Sequence, residues 1–202
     1  PNVVCRGGTP LIYAKKAIIV DDLLRHGADV EARDTRRGYI NYTALAHAAK
    51  DGKVDLVRSL LKAGADIEAK TYGTGDTALF SIHPRVVEVL LAHGAELSPV
   101  NKRGYTPLGA AAEYGNVKVV KALVRAGADP LQRLGCGHGN EGYSPKEIAA
   151  ENGHHEVVAV MTRADKAANP RRYPSEKWGP VVAAALAILE FALIPWMRAT
   201  FR

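Results

Sequence analysis

The chain is poor in cysteine and lacks the short motifs that mark common catalytic sites. Its 202 residues include only two cysteines, Cys5 and Cys136. Two cysteines are too few for a disulfide framework, so we expect free thiols, and nothing calls for an oxidising compartment. The sequence also has no Gly-x-Ser-x-Gly turn, no His-Glu-x-x-His motif and no phosphate-binding loop. These absences argue against hydrolytic, zinc-peptidase and phosphoryl-transfer chemistry, and we expect neither an enzyme nor a cofactor.

Two local patterns resemble ligand-binding motifs in sequence but lack the surrounding features that such sites require. Residues 137–142 read Gly-His-Gly-Asn-Glu-Gly, but a dinucleotide site needs a preceding strand and a parallel sheet, which this region does not predict. The residues Cys136, His138, His154 and His155 contain no second cysteine or His/Cys pair at zinc spacing. We therefore expect neither nucleotide nor metal binding.

Positive charge is concentrated towards the C-terminal end. The net charge is +6, and residues 163–202 hold seven Lys or Arg against three acidic residues. A basic segment beside apolar residues favours anionic lipid headgroups, whereas nucleic acid would need a basic face on the folded domain. Because the chain starts at Pro1 with no signal-like segment, we expect a processed mature form or a fragment.

Two short patterns repeat together along most of the chain. Gly-Ala-Asp or Gly-Ala-Glu starts at intervals of 37, 30 and 33 residues, at Gly27, Gly64, Gly94 and Gly127. Upstream of each lies Thr-Pro-Leu or a related triplet, starting at Thr9, Thr43, Thr77 and Thr106, and Ser144-Pro145 begins a fifth copy. A period near 33 residues indicates a protein built of stacked supersecondary units.

Each position in the repeat has a local physical role. The Thr or Ser hydroxyl is expected to cap a first helix, and proline fits the first turn of that helix. Alanine pairs such as Ala48-Ala49 keep the helix slim, and Gly52 turns the chain into a second helix. That helix carries an apolar stripe: Val54, Leu56, Val57, Leu60 and Leu61. Gly64 and Gly127 should end their helices with positive φ.

With these motifs, residues 7–165 closely resemble the ankyrin repeat family. The resemblance implies an all-α solenoid of helix-turn-helix repeats with finger loops. We predict units at about 7–36, 37–71, 72–101, 102–135 and 141–165, then a basic linker at 166–177 and an apolar helix with a short tail at 178–202. The family resemblance also implies protein binding without naming a partner.

The first and third units depart from the family pattern. The Thr-to-Gly distance is 21 residues in the second and fourth units but 18 from Thr9 to Gly27 and 17 from Thr77 to Gly94. We therefore expect short inner helices in these two units and an uneven groove.

Family geometry places partner contacts on the inner helices and the fingers. The residues predicted to contact a protein partner are Tyr13, Arg37, Tyr39, Ile40, Tyr42, His47, Lys50, Asp51, Tyr72, Arg103, Glu113 and Tyr114. The finger at residues 36–42 carries three extra residues, and its tyrosines either form a contact patch or pack back onto the adjacent finger.

Residues 178–197 have the length and composition of one membrane span. They hold a single charge, Glu190, and a tryptophan near each end, Trp178 and Trp196. As a helix, the segment between the tryptophans covers about 27 Å, close to the thickness of a thin bilayer. The insertion energy is small because the glutamate offsets most of the gain from the apolar residues.

Ala183, Ala187 and Glu190 share one face of this helix, so we expect a second transmembrane helix to pack there. Glu190 would form a hydrogen bond, relay protons or ligate a group in a larger assembly. More basic residues precede the segment than follow it, which predicts a single-pass protein with the repeats on the cytosolic, matrix or stromal side. The membrane itself is not predicted.

Two interpretations of function remain open. In the first, the protein is a non-catalytic interaction scaffold anchored in a membrane, either on its own or as an accessory subunit of a larger organellar complex. The alternative is a soluble ankyrin adaptor in which the apolar helix, between Pro180 and Pro195, packs on the repeat domain.

Overall fold

Helices dominate the part of the chain that the structure, a computed structural model, describes: residues 2–3, 8–34, 41–135 and 142–169. In these residues the α-helices are α1 (Pro10–Tyr13), α2 (Ala17–Arg25), α3 (Ala44–Lys50), α4 (Val54–Lys62), α5 (Pro84–Ala92), α6 (Pro107–Glu113), α7 (Val117–Arg125), α8 (Pro145–Glu151) and α9 (His155–Ala168). A short 3-10 helix spans Ala78–Phe80, and two short strands, β1 (Arg33–Asp34) and β2 (Tyr42–Thr43), pair antiparallel.

Contacts divide the chain into two units, Pro1–Thr162 and Arg163–Arg202, and the boundary falls within α9. The first unit contains every element up to the greater part of α9. In the second, residues 163–168 complete α9, and Asn169 Nδ2 donates to Asp165 Oδ1 at 3.1 Å.

Within the first unit the helices form two rows. The inner row runs α1, α3, the 3-10 helix, α6 and α8, and each of these elements contacts the next. The outer row runs α2, α4, α5 and α7, again with contact between neighbours. Inner and outer helices of the same repeat also pack together, as α3 does with α4 and α6 with α7. This arrangement confirms the predicted mostly helical repeat fold.

One hydrophobic core follows the rows from Leu11 to Met161. The same outer-helix position is filled by a fully buried leucine in three successive repeats, at Leu60, Leu90 and Leu123. Because each helix pair buries its apolar stripe against its neighbours as well as against itself, stability comes from stacking.

The inner helices of the two short units are reduced, as the Thr-to-Gly spacing predicted. Helix α1 has four residues and the 3-10 helix has three, whereas α3, α6 and α8 have seven each. The missing turn lies on the inner row alone, since α2 and α5 keep the nine residues of α4 and α7.

The predicted hydroxyl caps are confirmed only in the units with full inner helices. Thr43 and Thr106 each accept a backbone N–H bond at 3.2 Å, and Ser144 forms a reciprocal capping box with Glu147. In the short units the prediction is wrong: the hydroxyls of Thr9 and Thr77 are buried and form no hydrogen bond with the described residues. A reduced helix does not bring its third amide under the hydroxyl, which leaves the group unsatisfied.

Glycine turns and rings from the next repeat connect the units. Gly52 and Gly115 have φ of 70° and 66°, and a Cβ on either would lie 2.7 or 2.6 Å from the ring of His83 or His154. The Nε2 atom of His83 lies 3.1 Å from the carbonyl oxygen of Lys50, and that of His154 lies 3.0 Å from the Glu113 oxygen. These contacts give His83 and His154 a structural role between neighbouring units. Gly64 and Gly127 have positive φ, as predicted.

Among the described residues, no helix combines the length and apolar character needed to cross a membrane. The predicted span, with Trp178, Ala183, Ala187, Glu190 and Trp196, lies outside the described residues.

Candidate functional site

The surface formed by the inner helices and the fingers is called here the inner face. It comprises α1, α3, the 3-10 helix, α6, the turn residues 51–53, 81–83 and 114–116, and the finger residues 33–34, 41–42, 70–76 and 100–105. Nine of the predicted contact residues lie on it, at Tyr13, Tyr42, His47, Lys50, Asp51, Tyr72, Arg103, Glu113 and Tyr114. The other three, Arg37, Tyr39 and Ile40, lie outside the described residues.

The first finger supports α3 through a buried carboxylate. Strand pairing places Asp34 opposite Tyr42, and the Asp34 side chain is fully buried. His47 Nε2 lies 3.0 Å from Asp34 Oδ2, and the rings of Tyr42 and His47 are 5.3 Å apart between centroids. Lys50 Nζ lies 5.3 Å from the centre of the Tyr42 ring. Tyr42 and His47 therefore help to hold the finger against α3, and they also form part of its surface.

The finger before the third unit presents an exposed aromatic ring. Tyr72 is 67% exposed, and Lys102 Nζ lies 4.9 Å from the centre of its ring. The same ammonium group donates to the Tyr72 carbonyl. Asn101 Nδ2 donates to Asp76 Oδ1 at 2.7 Å, which ties this finger to the next one. The ring is thus held by two neighbouring fingers while its face stays open to solvent.

The fourth unit contributes a paired cluster beside an exposed ring. Arg103 Nη2 lies 3.1 Å from Glu113 Oε1, and its guanidinium lies 4.9 Å from the centre of the Tyr105 ring. The charge of Glu113 raises the pKa of the Arg103 guanidinium. Tyr114, at the end of α6, is 67% exposed. The structure brings the predicted residues Arg103 and Glu113 together as an ion pair.

A polar cavity lies where α1 lacks its last turn. It has a volume of about 230 Å³ and is lined in part by Tyr13, Lys15, His47 and Asp51. Lys53 Nζ donates to Asp51 Oδ2 at 2.6 Å, and this bond lowers the pKa of the Asp51 carboxyl. The predicted residues Tyr13, His47 and Asp51 therefore line one cavity.

A second cavity lies where the 3-10 helix replaces a full inner helix, and we call it the notch. It also has a volume of about 230 Å³, and the residues lining it are Tyr42, Ala46, Ala49, Lys50, Thr71, Asp76, Thr77, Ala78, Phe80, Ser81 and Ile82. Of these, only Tyr42 and Lys50 are among the contact residues predicted from the sequence. The short Thr77-to-Gly94 spacing was the available signal, but it predicted an uneven groove and not a pocket.

Acidic side chains on the inner face are bonded within the protein. Residues 33–34, 41–53, 70–83 and 100–116 contain six Lys or Arg and four acidic residues. The acidic side chains are Asp34, Asp51, Asp76 and Glu113, and each has a partner, respectively His47, Lys53, Asn101 and Arg103. With six cations against four paired carboxylates, the described part of this face has a formal charge of 6 − 4 = +2.

In the part of the chain that the structure describes, no group of three or more His, Cys, Asp or Glu residues could hold a metal ion. Cys136, His138 and residues 137–141 of the glycine-rich pattern lie outside the described residues.

The chain belongs to the ankyrin repeat family. The family model described as "Ankyrin repeats (3 copies)" matches residues 1–71 and 76–173, most of the sequence. The paired helices, the capped Thr or Ser turns and the finger loops of the structure are those of this class of repeat protein.

Curated relatives with ankyrin repeats come from distant sources. An ankyrin repeat protein of Fowlpox virus is 34% identical over 116 residues, which cover 55% of this chain and 33% of the relative. The ankyrin repeat and KH domain-containing protein mask-1 of Caenorhabditis elegans is 39% identical over 117 residues, 55% of this chain and 4% of the relative. The B-cell lymphoma 3 protein homolog of Mus musculus is 33% identical over 117 residues, 55% of this chain and 25% of the relative. The match spans a third or less of the length of each of these relatives. Nothing in the family match or in these relatives points to an enzymatic activity.

Proposed function

We propose that the protein is a non-catalytic interaction module that binds a protein partner through its inner face. The observation that carries the proposal is the position of the exposed large apolar and aromatic side chains among the described residues. Five of them lie on the inner helices, their turns or the fingers: Tyr13, Tyr72, Ile82, Val100 and Tyr114. On the outer helices only Ile18 and Ile19, both in α2, are comparably exposed in the described structure. Exposed aromatic and apolar groups beside polar ones are typical of binding surfaces.

The test is site-specific photo-crosslinking in the cells that make the protein. A benzophenone amino acid replaces Tyr72 or Tyr114 on the inner face, and Ile18 on α2 serves as the matched exposed control. We expect a crosslinked protein from the two inner-face positions and none from position 18. Crosslinks from position 18 alone, or equal yields from all three positions, would contradict the proposal. An alanine substitution that leaves the recovered partner bound removes that residue from the predicted contact set.

The family match and the relatives support an ankyrin adaptor better than a membrane-anchored scaffold. The adaptor rests on the repeats alone, which most of the chain matches. A membrane anchor and a partner helix at Glu190 rest only on the sequence of residues 178–197, whose single charge and flanking tryptophans favour a span. The predicted side of the membrane rests only on the excess of basic residues before that segment. We therefore propose the adaptor and retain the anchor as a second candidate.

Alkaline carbonate extraction of membranes separates the two candidates. The full chain is compared with a version that ends at Lys177, which retains all of the described residues. If the adaptor proposal is correct, both chains are extracted alike. Retention of the full chain alone would establish the anchored form and make Glu190 the first residue to substitute.

A further inference from the structure

The notch arises because the third unit is shorter than the second between the residues that begin its inner and outer helices. Thr77 and His83 are six residues apart, whereas the corresponding residues Thr43 and Lys53 are ten apart in the second unit. The outer helix α5 keeps its full length, so the stack continues while the inner row loses one turn. The space between α3 and the 3-10 helix therefore opens on the inner face and not on the outer one.

The walls of the notch are mostly apolar. Helix α3 contributes the methyl groups of Ala46 and Ala49, and the third unit contributes Ala78, the ring of Phe80 and the side chain of Ile82, which is 60% exposed. A volume of about 230 Å³ exceeds the engineered cavity of about 150 Å³ that accepts benzene. The notch is thus large enough for one leucine, methionine or phenylalanine side chain.

The polar atoms along the notch are arranged so that an apolar group can enter. Ser81 Oγ donates to the Ala49 carbonyl at 2.8 Å, which satisfies that hydroxyl inside the wall. Asp76 lines the notch, and its carboxylate accepts hydrogen bonds from Asn101 Nδ2 and from Thr74 Oγ1. Thr77 Oγ1 is buried and has no hydrogen-bond partner in the described structure.

One basic side chain lines the notch, and two more line a separate cavity that shares Thr71 with it. Lys50 lines it directly, and Lys70 and Lys102 are exposed on the fingers beside it. The acidic residue that lines the notch, Asp76, accepts hydrogen bonds from Thr74 of its own finger and from Asn101 of the next one. A protein segment that approaches the notch therefore meets a positive field around an apolar recess.

We propose that the notch receives one large apolar side chain from an acidic segment of a partner protein. The apolar side chain fills the space between α3 and the 3-10 helix, and the acidic residues on either side of it face Lys70 and Lys102. This inference rests on the proposed function, because it names the partner chemistry that the inner face recognises.

The experiment uses linear peptides selected from a displayed random library against the full chain. Fluorescently labelled copies of the selected peptides are then titrated with the full chain and its variants. Ala46→Leu fills the notch from within. Ile82→Ala removes apolar surface from its exposed rim without risk to the core, and Ile18→Ala on α2 is its matched control. Lys102→Glu reverses a charge beside the notch, and Lys118→Glu does so in the first turn of α7.

We expect the selected peptides to carry acidic residues around one large apolar residue, and replacement of that residue by alanine to weaken binding about tenfold or more. Ala46→Leu and Ile82→Ala should each weaken binding about tenfold, with Ile18→Ala within about twofold of the unchanged chain. Lys102→Glu should weaken binding about threefold to tenfold at low salt and less at high salt, whereas Lys118→Glu should not.

Two results would overturn the inference. If peptides bind with affinity lowered by Tyr72→Ala or Tyr114→Ala but unchanged by Ala46→Leu and Ile82→Ala, the notch is not the recognition site, while the proposed function stands. If no peptide is selected, or if binding ignores every inner-face variant, both the notch and the proposed function fail.

Discussion

At the residue scale, the hydroxyl groups that begin the inner helices differ in what they contribute. Thr106 accepts a hydrogen bond from Gly109 N at 3.2 Å, whereas Thr77 is buried without a partner among the described residues. Removing a satisfied cap costs about 1 kcal/mol, and replacing an unsatisfied buried hydroxyl by an apolar group of similar shape can be neutral or stabilising. We therefore expect Thr106→Val to lower the free energy of unfolding in urea by about 1 kcal/mol and Thr77→Val to leave it unchanged or raise it. An equal loss in both variants would show that Thr77 is bonded in solution.

The capping box of α8 predicts a dependence of stability on pH. Hydrogen bonds from the backbone and side chain of Ser144 lower the pKa of Glu147 from 4.5. Because the pKa is lower in the folded state, this contribution to stability is present above the unfolded-state pKa and is lost as the pH falls through the folded-state value. Ser144→Ala should destabilise the protein most at neutral pH, and the difference from the unchanged chain should shrink in acid. An NMR titration of the Glu147 carboxyl carbon should show its pKa rising in Ser144→Ala; an unchanged pKa would refute the role of the box.

Alanine substitutions at two glycines can distinguish the cost of backbone strain from the cost of a clash with the next repeat. Gly115 and Gly153 both have positive φ, 66° and 73°, so alanine at either should cost about 1–2 kcal/mol of backbone strain. A Cβ at Gly115 would also lie 2.6 Å from the ring of His154, while one at Gly153 has no neighbour within 4 Å. We expect Gly115→Ala to be more destabilising than Gly153→Ala by about 1 kcal/mol or more in urea unfolding. In a His154→Ala background the two should become equal, and a persisting difference would mean that the ring is not the cause.

At the scale of the element, the third unit has a full outer helix and a reduced inner one. At the start of the 3-10 helix Ala78–Phe80, Phe80 N donates to the Thr77 carbonyl at 3.2 Å, and three residues leave room for few further helical bonds. Helix α6 has seven residues and a satisfied cap. Segments with fewer hydrogen bonds open at lower free energy than well-bonded helices.

Amide hydrogen exchange should therefore be faster at Phe80 than at Ala110, although both lie on the inner row. The outer helix α5 of the same unit should exchange as slowly as α7, because its core positions Val86, Val87 and Leu90 are fully buried. Fast exchange throughout the third unit would instead indicate that the whole repeat is weak, and slow exchange at Phe80 would show that the reduced helix is fully stable.

Most of what the sequence could predict about the helices came from the spacing between the Thr and Gly residues of each unit. The distance from Thr77 to Gly94 predicted a short inner helix, since α5 needs nine residues and little chain remains before it. The same local rule failed for the Thr77 cap, because a hydroxyl cap also needs an amide placed by a full α-turn. Cap residues are informative only where the helix behind them is complete.

At the scale of the whole molecule, the repeat period identified the fold, but side-chain contacts between fingers and helices decided the character of the site. The pairing of Arg103 with Glu113 and the burial of Asp34 against His47 join residues ten and thirteen positions apart. The notch joins Ala46 to Ile82 across two repeats. No local pattern encodes these distances, so the sequence could place residues on the inner face without telling which were already bonded to each other.

The central claim is that the protein recognises a partner through its inner face. The most direct measurement is the set of backbone amide NMR shifts that change when a selected peptide is added to the full chain. We predict changes clustered within residues 42–50, 70–82 and 101–114, with none on the exposed surface of α4, α5 and α7. Changes confined to those outer helices, with the inner face unaffected, would contradict it.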